Sequence, residues 1–200
     1  MKCRLIALGL LVFLAAPAAM AAEKRPVETV KTVCSKCHGP DGRGVSELFP
    51  RLAGQQAAYL ERQLKAFRGR DRGDTHARSY MWGVAGAMSD AAIHGLATYL
   101  GSRPAPKGEP SADSALVARG KEIFEKGVAE RGVPICAECH GAAATGMEEI
   151  PRLAGQYRDY LYRQIREFRG LLRRNDVMHD QTKAISDEEA LAVAEYLSTL

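Results

Sequence analysis

Two pentapeptides carry residue types that could do chemistry: Cys34-Ser35-Lys36-Cys37-His38 and Cys136-Ala137-Glu138-Cys139-His140. On a helical turn, residues three and four apart lie on one face, so each pair of thiols and the following imidazole point the same way. CxxCH in this form is the attachment sequence of a c-type haem. Cys34 and Cys37, and likewise Cys136 and Cys139, can form thioethers with the vinyl edge of one porphyrin. His38 and His140 can each direct a ring nitrogen at the iron. Zinc also uses CxxC pairs and histidines, but such sites seldom place a histidine directly after the second cysteine. A thioredoxin-like dithiol needs a βαβ context, and no strand-like alternation occurs in this sequence.

A haem iron that only carries electrons needs a second axial ligand, and methionine is the usual choice because its soft thioether raises the potential. Met178 lies eight residues before Ser186, which starts a helix with a capping box, Ser186-Asp187-Glu188-Glu189. Met147 follows His140 too closely to cross to the opposite haem face. In the first half Met81 and Met88 compete. Met81 lies eight residues before the N-cap Ser89, as Met178 does before Ser186, whereas Met88 aligns with Ile185. Met81 and Met178, both placed in polar loops, are therefore the expected ligands, and Met88 is expected to staple onto Ile93. His76, His94 and His179 have no counterparts across the halves and are left as surface or satisfied residues, with His179 beside Met178 as the one rival ligand.

The elements that must position these residues are helical. A lead-in helix ends on the first motif, and the density of glycine and proline in 39–44 forbids its continuation. Leu60, Leu64 and Phe67 give the next helix an apolar face, with Tyr59 alongside. Ser89 and Asp90 open a helix with the buried stripe Ile93, Leu96, Ala97 and Leu100. The second half repeats this plan after a lead-in helix over Ala115 to Glu130, with Leu116, Ile123 and Phe124 as core. Residues 47–69 and 148–170 align without a gap and agree at 14 of 23 positions, which marks an internal duplication. Trp82, Tyr59 and Tyr160 read as core or haem-packing residues, and the Arg and Lys side chains of the middle helices as a solvated face.

Residues 1–22 read as a secretory signal: Lys2 and Arg4, an apolar run from Leu5 to Ala16, and the small-residue site Ala19-Met20-Ala21. Its removal takes away Cys3, so all four remaining cysteines belong to the motifs. Removal of Lys2 and Arg4 also lowers the formal charge from +4 to +2. Haem propionates would offset that remainder, so the charge gives no argument for nucleic acid. The expected organisation is 23–101, a proline-bearing linker at 102–114, and 115–200. Units of this size have thin cores, which a buried haem would complete.

The two CxxCH units are each followed by Pro-Arg-Leu-Ala-Gly-Gln, a Tyr-Leu, Arg-Gln and Phe-Arg-Gly helix, a methionine and a Ser-Asp helix. Taken together they resemble the di-haem cytochrome c4 family over nearly the whole chain after the leader. The resemblance implies an all-α fold of two tandem class I cytochrome c domains, each wrapped around one covalently bound haem c, in a pseudo-twofold arrangement. It implies that the carbonyls of Pro50 and Pro151 orient the proximal imidazoles. The first half departs from the second in a shorter lead-in helix and in four extra residues before Met81.

The function expected is a periplasmic carrier of single electrons from a membrane-bound quinol-oxidising complex to a terminal oxidase or reductase. It would meet redox proteins, with transient contact at a membrane surface, and would perform no catalysis of its own. The second reading keeps the fold and makes the chain the cytochrome subunit of a dehydrogenase, such as flavocytochrome c sulfide dehydrogenase. A di-haem peroxidase needs one displaceable iron ligand, which two matched methionines disfavour.

Overall fold

The computed structural model describes residues 26–200; the leader expected over 1–22 lies outside them. Among the described residues there are helices and no strand, with isolated bridges only at Val128–Val133 and Met147–Ile150.

Helix α1 (26–38) widens into a π-turn at Val30–Cys34 and ends as the α-turn Ser35–His38. Gly39, at φ 75°, stops it, and a Cβ there would run into the backbone of Gly44. The chain reverses through the 3₁₀ turn Pro40–Gly42, and Gly44 N–H donates back to the His38 carbonyl at 2.7 Å. Then come α2 (Ala57–Arg68), α3 (75–85) and α4 (Asp90–Gly101), the last capped by Ser89 Oγ. The second half runs α5 (Ser114–Lys126), α6 (Ala137–His140), α7 (Arg158–Arg169), α8 (Asp176–Thr182) and α9 (Asp187–Ser198). The capping box at Ser186 and Glu189 is formed in both directions. Helix α5 is shorter than expected because Gly127, at φ 68°, ends it, donating its N–H to the Ile123 carbonyl at 2.8 Å.

All four residues of the α4 stripe are buried, and Val30 of α1 packs with Leu60, Leu96, Ala97 and Leu100. A second small group, Phe67, Ala77 and Ala85, sits apart, with Leu64 and Met88 touching both. The core of the first half is thus split into two small groups. In the second half Ile123 and Phe124 of α5 pack with Leu161, Val193 and Leu197. Helices α5 and α9 cross at Gly120, where a Cβ would overlap the Ala192 carbonyl.

Neither methionine segment is a loop. Asp74 accepts from Ala77 N–H at 3.2 Å, and Asn175 accepts from Met178 N–H at 2.9 Å, so each caps the helix that follows it. Met178 lies three residues beyond its cap and Met81 seven. The four extra residues of the first half become an added turn, which the π-turn Ala77–Met81 absorbs.

The halves meet through a reciprocal set of hydrogen bonds. Gln156 Oε1 accepts from Arg51 N–H at 2.8 Å while Gln156 Nε2 donates to the Arg51 carbonyl at 2.9 Å. Gln55 does the same to Arg152, at 2.7 and 2.9 Å. Arg62 Nη2 reaches the Glu149 carbonyl and Arg163 Nη2 the Leu48 carbonyl, at 3.1 and 2.9 Å. These arginines are not a solvated face: polar periodicity marks a side as non-core but cannot say whether water or the other half covers it. The segment between α4 and α5 packs on the same seam. Gly108 N–H donates to the Leu200 carbonyl at 2.8 Å, and Arg51 pairs with Glu109 at 3.0 Å.

Gln55→Ala and Gln156→Ala each strand a part-buried N–H and C=O, and each is expected to cost about 1–3 kcal/mol in denaturant melts of the holoprotein. The two losses should match, and a loss at only one position would refute the reciprocal arrangement. Gly120→Ala should lower stability by about 1–3 kcal/mol or more through overpacking, read as a drop in Tm of roughly 2–4 °C per kcal/mol.

Candidate haem sites

Each motif histidine is fixed by the same device. His38 Nδ1–H donates to the Pro50 carbonyl at 2.8 Å and His140 Nδ1–H to the Pro151 carbonyl at 3.1 Å. Both rings are 7% exposed. Burial pushes both imidazoles below their ordinary pKa, with the proline carbonyls working the other way. A neutral ring that donates from Nδ1 leaves the Nε2 lone pair for a metal. The loops that bring the proline up are alike. Gly42 O accepts from Leu52 and Ala53 N–H at 2.7 and 3.0 Å, and Ala144 O from Leu153 and Ala154 N–H at 2.8 and 3.0 Å.

A mainly apolar cavity of about 590 Å³ runs through both halves, within the size range of cofactor pockets. Its walls include all four motif cysteines, His38 with Met81, and His140 with Met178. None of the four cysteines is in a disulfide. Burial pushes the Cys136 thiol up to about 11 and raises that of Cys34. Among the described residues, no three Cys, His, Asp or Glu side chains gather as a metal-ion site would need. Thiols on an apolar wall beside a neutral imidazole fit haem c.

Met147 is 62% exposed and lies off the cavity. Met88 lines it, but at the place that Ile185 takes in the second half, and the two share a latch. Arg68 Nη1 donates to the Met88 carbonyl at 2.9 Å and Arg169 Nη1 to the Ile185 carbonyl at 2.8 Å. His179 is off the wall, its Nδ1–H donating to the Phe168 carbonyl at 3.1 Å, and His94 pairs with Glu61 at the surface. His76 is half-buried. The added turn of α3 brings it to the wall, stacked on Tyr80 with centroids 6.0 Å apart. Tyr80 meets Phe49 edge-on, and Phe49 meets His38. The second half has Ile150 and Val177 at the places of Phe49 and Tyr80.

Where the two parts of the cavity approach each other lies a buried polar cluster that the sequence reading missed. Arg72 donates to Gln63, Gln164 and Asp74 at 2.9, 2.9 and 2.8 Å. Arg173 donates to Gln164, Gln63 and the Tyr59 hydroxyl at 2.6, 2.8 and 2.8 Å. Tyr59 is thus an interface residue, and Trp82 donates its indole N–H to the Arg72 carbonyl at 2.8 Å. The only clue in the sequence was that Arg72 and Arg173 match across the repeat, three residues past each Phe-Arg-Gly.

Burial alone would raise the Asp74 carboxyl. The guanidinium of Arg72, helped by Arg173 and the Ala77 N–H, outweighs it and holds the group below the usual carboxylate range. A carboxyl depressed in the folded state contributes stability above its unfolded pKa of about 4, and that contribution is lost as pH falls through the folded value. Asp74→Asn should therefore flatten the acid limb of the stability–pH profile below about pH 4. An unchanged acid limb in thermal melts would show that the carboxylate is not paired as described.

A family model described as cytochrome c matches residues 27–104 and again 117–200. Cytochrome c-552 of Acidithiobacillus ferridurans is 39% identical over 172 residues, 86% of this chain and 75% of that protein. The thiosulfate dehydrogenase electron acceptor of Stutzerimonas stutzeri is 36% identical over 179 residues, 84% of this chain and 78% of that protein. Among solved structures, cytochrome c4 of Acidithiobacillus ferrooxidans superposes with a TM-score of 0.79 at 39% identity, covering 84% of this chain and 98% of that one. The duplicated motif, the paired pockets and these likenesses agree: the chain belongs to the cytochrome c family, among the di-haem cytochromes c4, and carries two covalently bound haems c.

Proposed function

We propose that this electron-transfer cytochrome works in the periplasm, taking single electrons from a membrane-bound quinol-oxidising complex and passing them to a terminal oxidase or reductase, without catalysis of its own. The observation that carries the reading is the matched pair of histidine and methionine on the walls of each half's cavity. Cys34 and Cys37 attach the first haem and Cys136 and Cys139 the second. His38 with Met81, and His140 with Met178, are the axial pairs. The domains run 23–101 and 115–200 about a linker at 102–114.

Bound haem supplies a one-electron ferric–ferrous couple. The chain's own residues do the rest. Burial keeps each imidazole neutral and the carbonyls of Pro50 and Pro151 keep it aimed, so the ring changes little when charge changes. The apolar walls exclude water, which limits reorganisation around the iron. With His38 and Met81, and His140 and Met178, holding the two irons, small molecules would be kept from the metal, and partners would need only approach a haem edge through small, transient contacts.

A second reading is favoured by particular likenesses. The relative from Stutzerimonas stutzeri is named a thiosulfate dehydrogenase electron acceptor. This chain also matches thiosulfate dehydrogenase TsdBA of Marichromatium purpuratum with a TM-score of 0.75 at 28% identity, covering 40% of that longer chain. The dehydrogenase partner would then oxidise thiosulfate, in place of the flavoprotein sulfide dehydrogenase raised by the sequence alone. Rapid reduction by a thiosulfate dehydrogenase with slow reduction by a quinol-oxidising complex would establish this reading over the first.

Haem quantitation of the holoprotein should give two per chain, and Met81→Ala and Met178→Ala should each remove half of the Met-to-iron charge-transfer band. Retention of the full band in either variant would reject that methionine as a ligand.

A further inference from the structure

The outer faces of the two motifs share a shape and differ in charge. Each CxxCH turn passes into a loop closed by the same bond, Gly44 N–H to the His38 carbonyl at 2.7 Å and Gly146 N–H to the His140 carbonyl at 3.0 Å. Each loop then presents one apolar side chain, Val45 or Met147, both 62% exposed. The charges beside them are inverted. Lys36 and Glu138 hold the same place, one residue before the second motif cysteine, and Arg43 and Thr145 the same place before the closing glycine. Over 31–48 the first half carries Lys31, Lys36 and Arg43 against Asp41 and Glu47. Over 133–149 the second carries Glu138, Glu148 and Glu149 with no Lys or Arg.

Pairing sharpens the contrast. Asp41 accepts from the Tyr99 hydroxyl at 2.8 Å, and Glu47 is turned to Asp159 of the other half. Lys31, Lys36 and Arg43 are exposed, and among the described residues no acid lies within ion-pair distance of them. Glu149 pairs with Arg62 at 3.3 Å, while Glu138 and Glu148 face solvent. The methionine side has the same sense. Helix α3 carries the exposed Arg78 and no acid, and α8 carries Asp176 and Asp180 and no Lys or Arg, with Asp180 paired to Lys183 beyond its end. Lys36, Arg43, Glu138 and Glu148 all lie off the cavity wall. One haem in each half adds the same propionate charge to both, so the difference belongs to the outer surface of the chain.

A small apolar centre with a charged rim is the anatomy of a docking surface. Such a rim steers a partner of opposite charge, raising association rates roughly 10- to 1,000-fold, and holds off one of like charge. We propose that the motif face of the first half, through Lys31, Lys36 and Arg43, docks an acidic redox protein, and that the matching face of the second half turns the same partner away. The proposal rests on the electron-carrier reading above and deepens it, by naming the chemistry of a partner and the half it meets.

The probe is an acidic blue-copper protein, added in its copper(I) form to the fully reduced holoprotein so that no electron moves while amide NMR shifts map the contact. At low salt the shifts should fall within 31–45 and leave 136–149 nearly unmoved. Lys36→Glu combined with Arg43→Thr gives the first face the residues that the second already carries, so the turn keeps its fold and the haem content stays at two. The pair should weaken binding about tenfold, and the difference should close as ionic strength rises well past about 0.15 M. The second-order rate at which the copper(II) form takes one electron from ferrous haem, with no other bond made or broken, should fall in step. Glu138→Lys should bring 136–149 into the shifted set. Shifts on the second face, equal shifts on both, or unchanged affinity in the double variant overturn the proposal. So does a mass that rises with concentration in the absence of the probe with both faces shifted, which would make a second copy of this chain the occupant. A complex that forms as expected but passes no electron upholds the docking face and sinks the carrier reading. Electron transfer with no preference between the faces does the reverse.

Discussion

The structure depends on what six residues, Pro-Arg-Leu-Ala-Gly-Gln, do at once in each half. The carbonyl of Pro50 fixes the imidazole of His38, and the next peptide group is held by Gln156 of the other half. Arg51 also presents its carbonyl to Gln156, and Gln55 closes the exchange on Arg152. Gly54 lies so close to Ala105 that a Cβ there would meet its backbone, and Gly155 is equally close to the Pro106 carbonyl. One short extended stretch thus aims the motif histidine, forms the seam between the halves and seats the connection. A change in the register of that stretch would disturb all three together, so the setting of each motif histidine is coupled to contact with the other half.

That coupling explains which parts of the molecule were legible in its sequence. CxxCH, the caps at Ser89 and Ser186 and the stripe of Ile93, Leu96, Ala97 and Leu100 each depend on neighbours within a turn or two, and pattern reports them directly. The methionine segments were harder. Asn175 and Asp74 are good caps, but the helices they start are short and polar, and α3 holds a π-turn that no 3.6-residue period describes. The interface was hardest. Gln55, Arg62, Gln63 and Arg72 look like solvent-facing residues because a polar seam has the same composition as a wet surface. Only the match of these positions with Gln156, Arg163, Gln164 and Arg173 could have hinted that they face one another.

The seam is polar for a physical reason. An apolar seam would bury well, but the groups to be enclosed include peptide N–H and C=O groups at Arg51 and Arg152, which cost free energy unless each finds a partner. Two glutamine side chains, each with one donor end and one acceptor end, satisfy four such groups with no charge. The arginines then add directional bonds around the rim and leave guanidinium groups inside, where the haem cavity comes close. A duplicated chain forms this arrangement readily, since one self-complementary surface solves the problem twice.

Departures from symmetry therefore carry the information about how the halves differ. The four extra residues before Met81 do not lengthen a loop. They add a turn to a helix whose cap stays beside Arg72, so the methionine keeps to the cavity wall while His76 and Tyr80 are brought round with it. The first pocket thereby gains an aromatic chain from His38 through Phe49 to Tyr80, where the second has only aliphatic side chains. Its core is split into two small groups, while that of the second is continuous. The same scaffold thus sets Phe49 and Tyr80 on the wall of its first half's cavity, and Ile150 and Val177 at the matching places of its second. The two halves thus differ at a few positions on the cavity wall, while the glutamine exchange at Arg51 and Arg152 is the same on both sides.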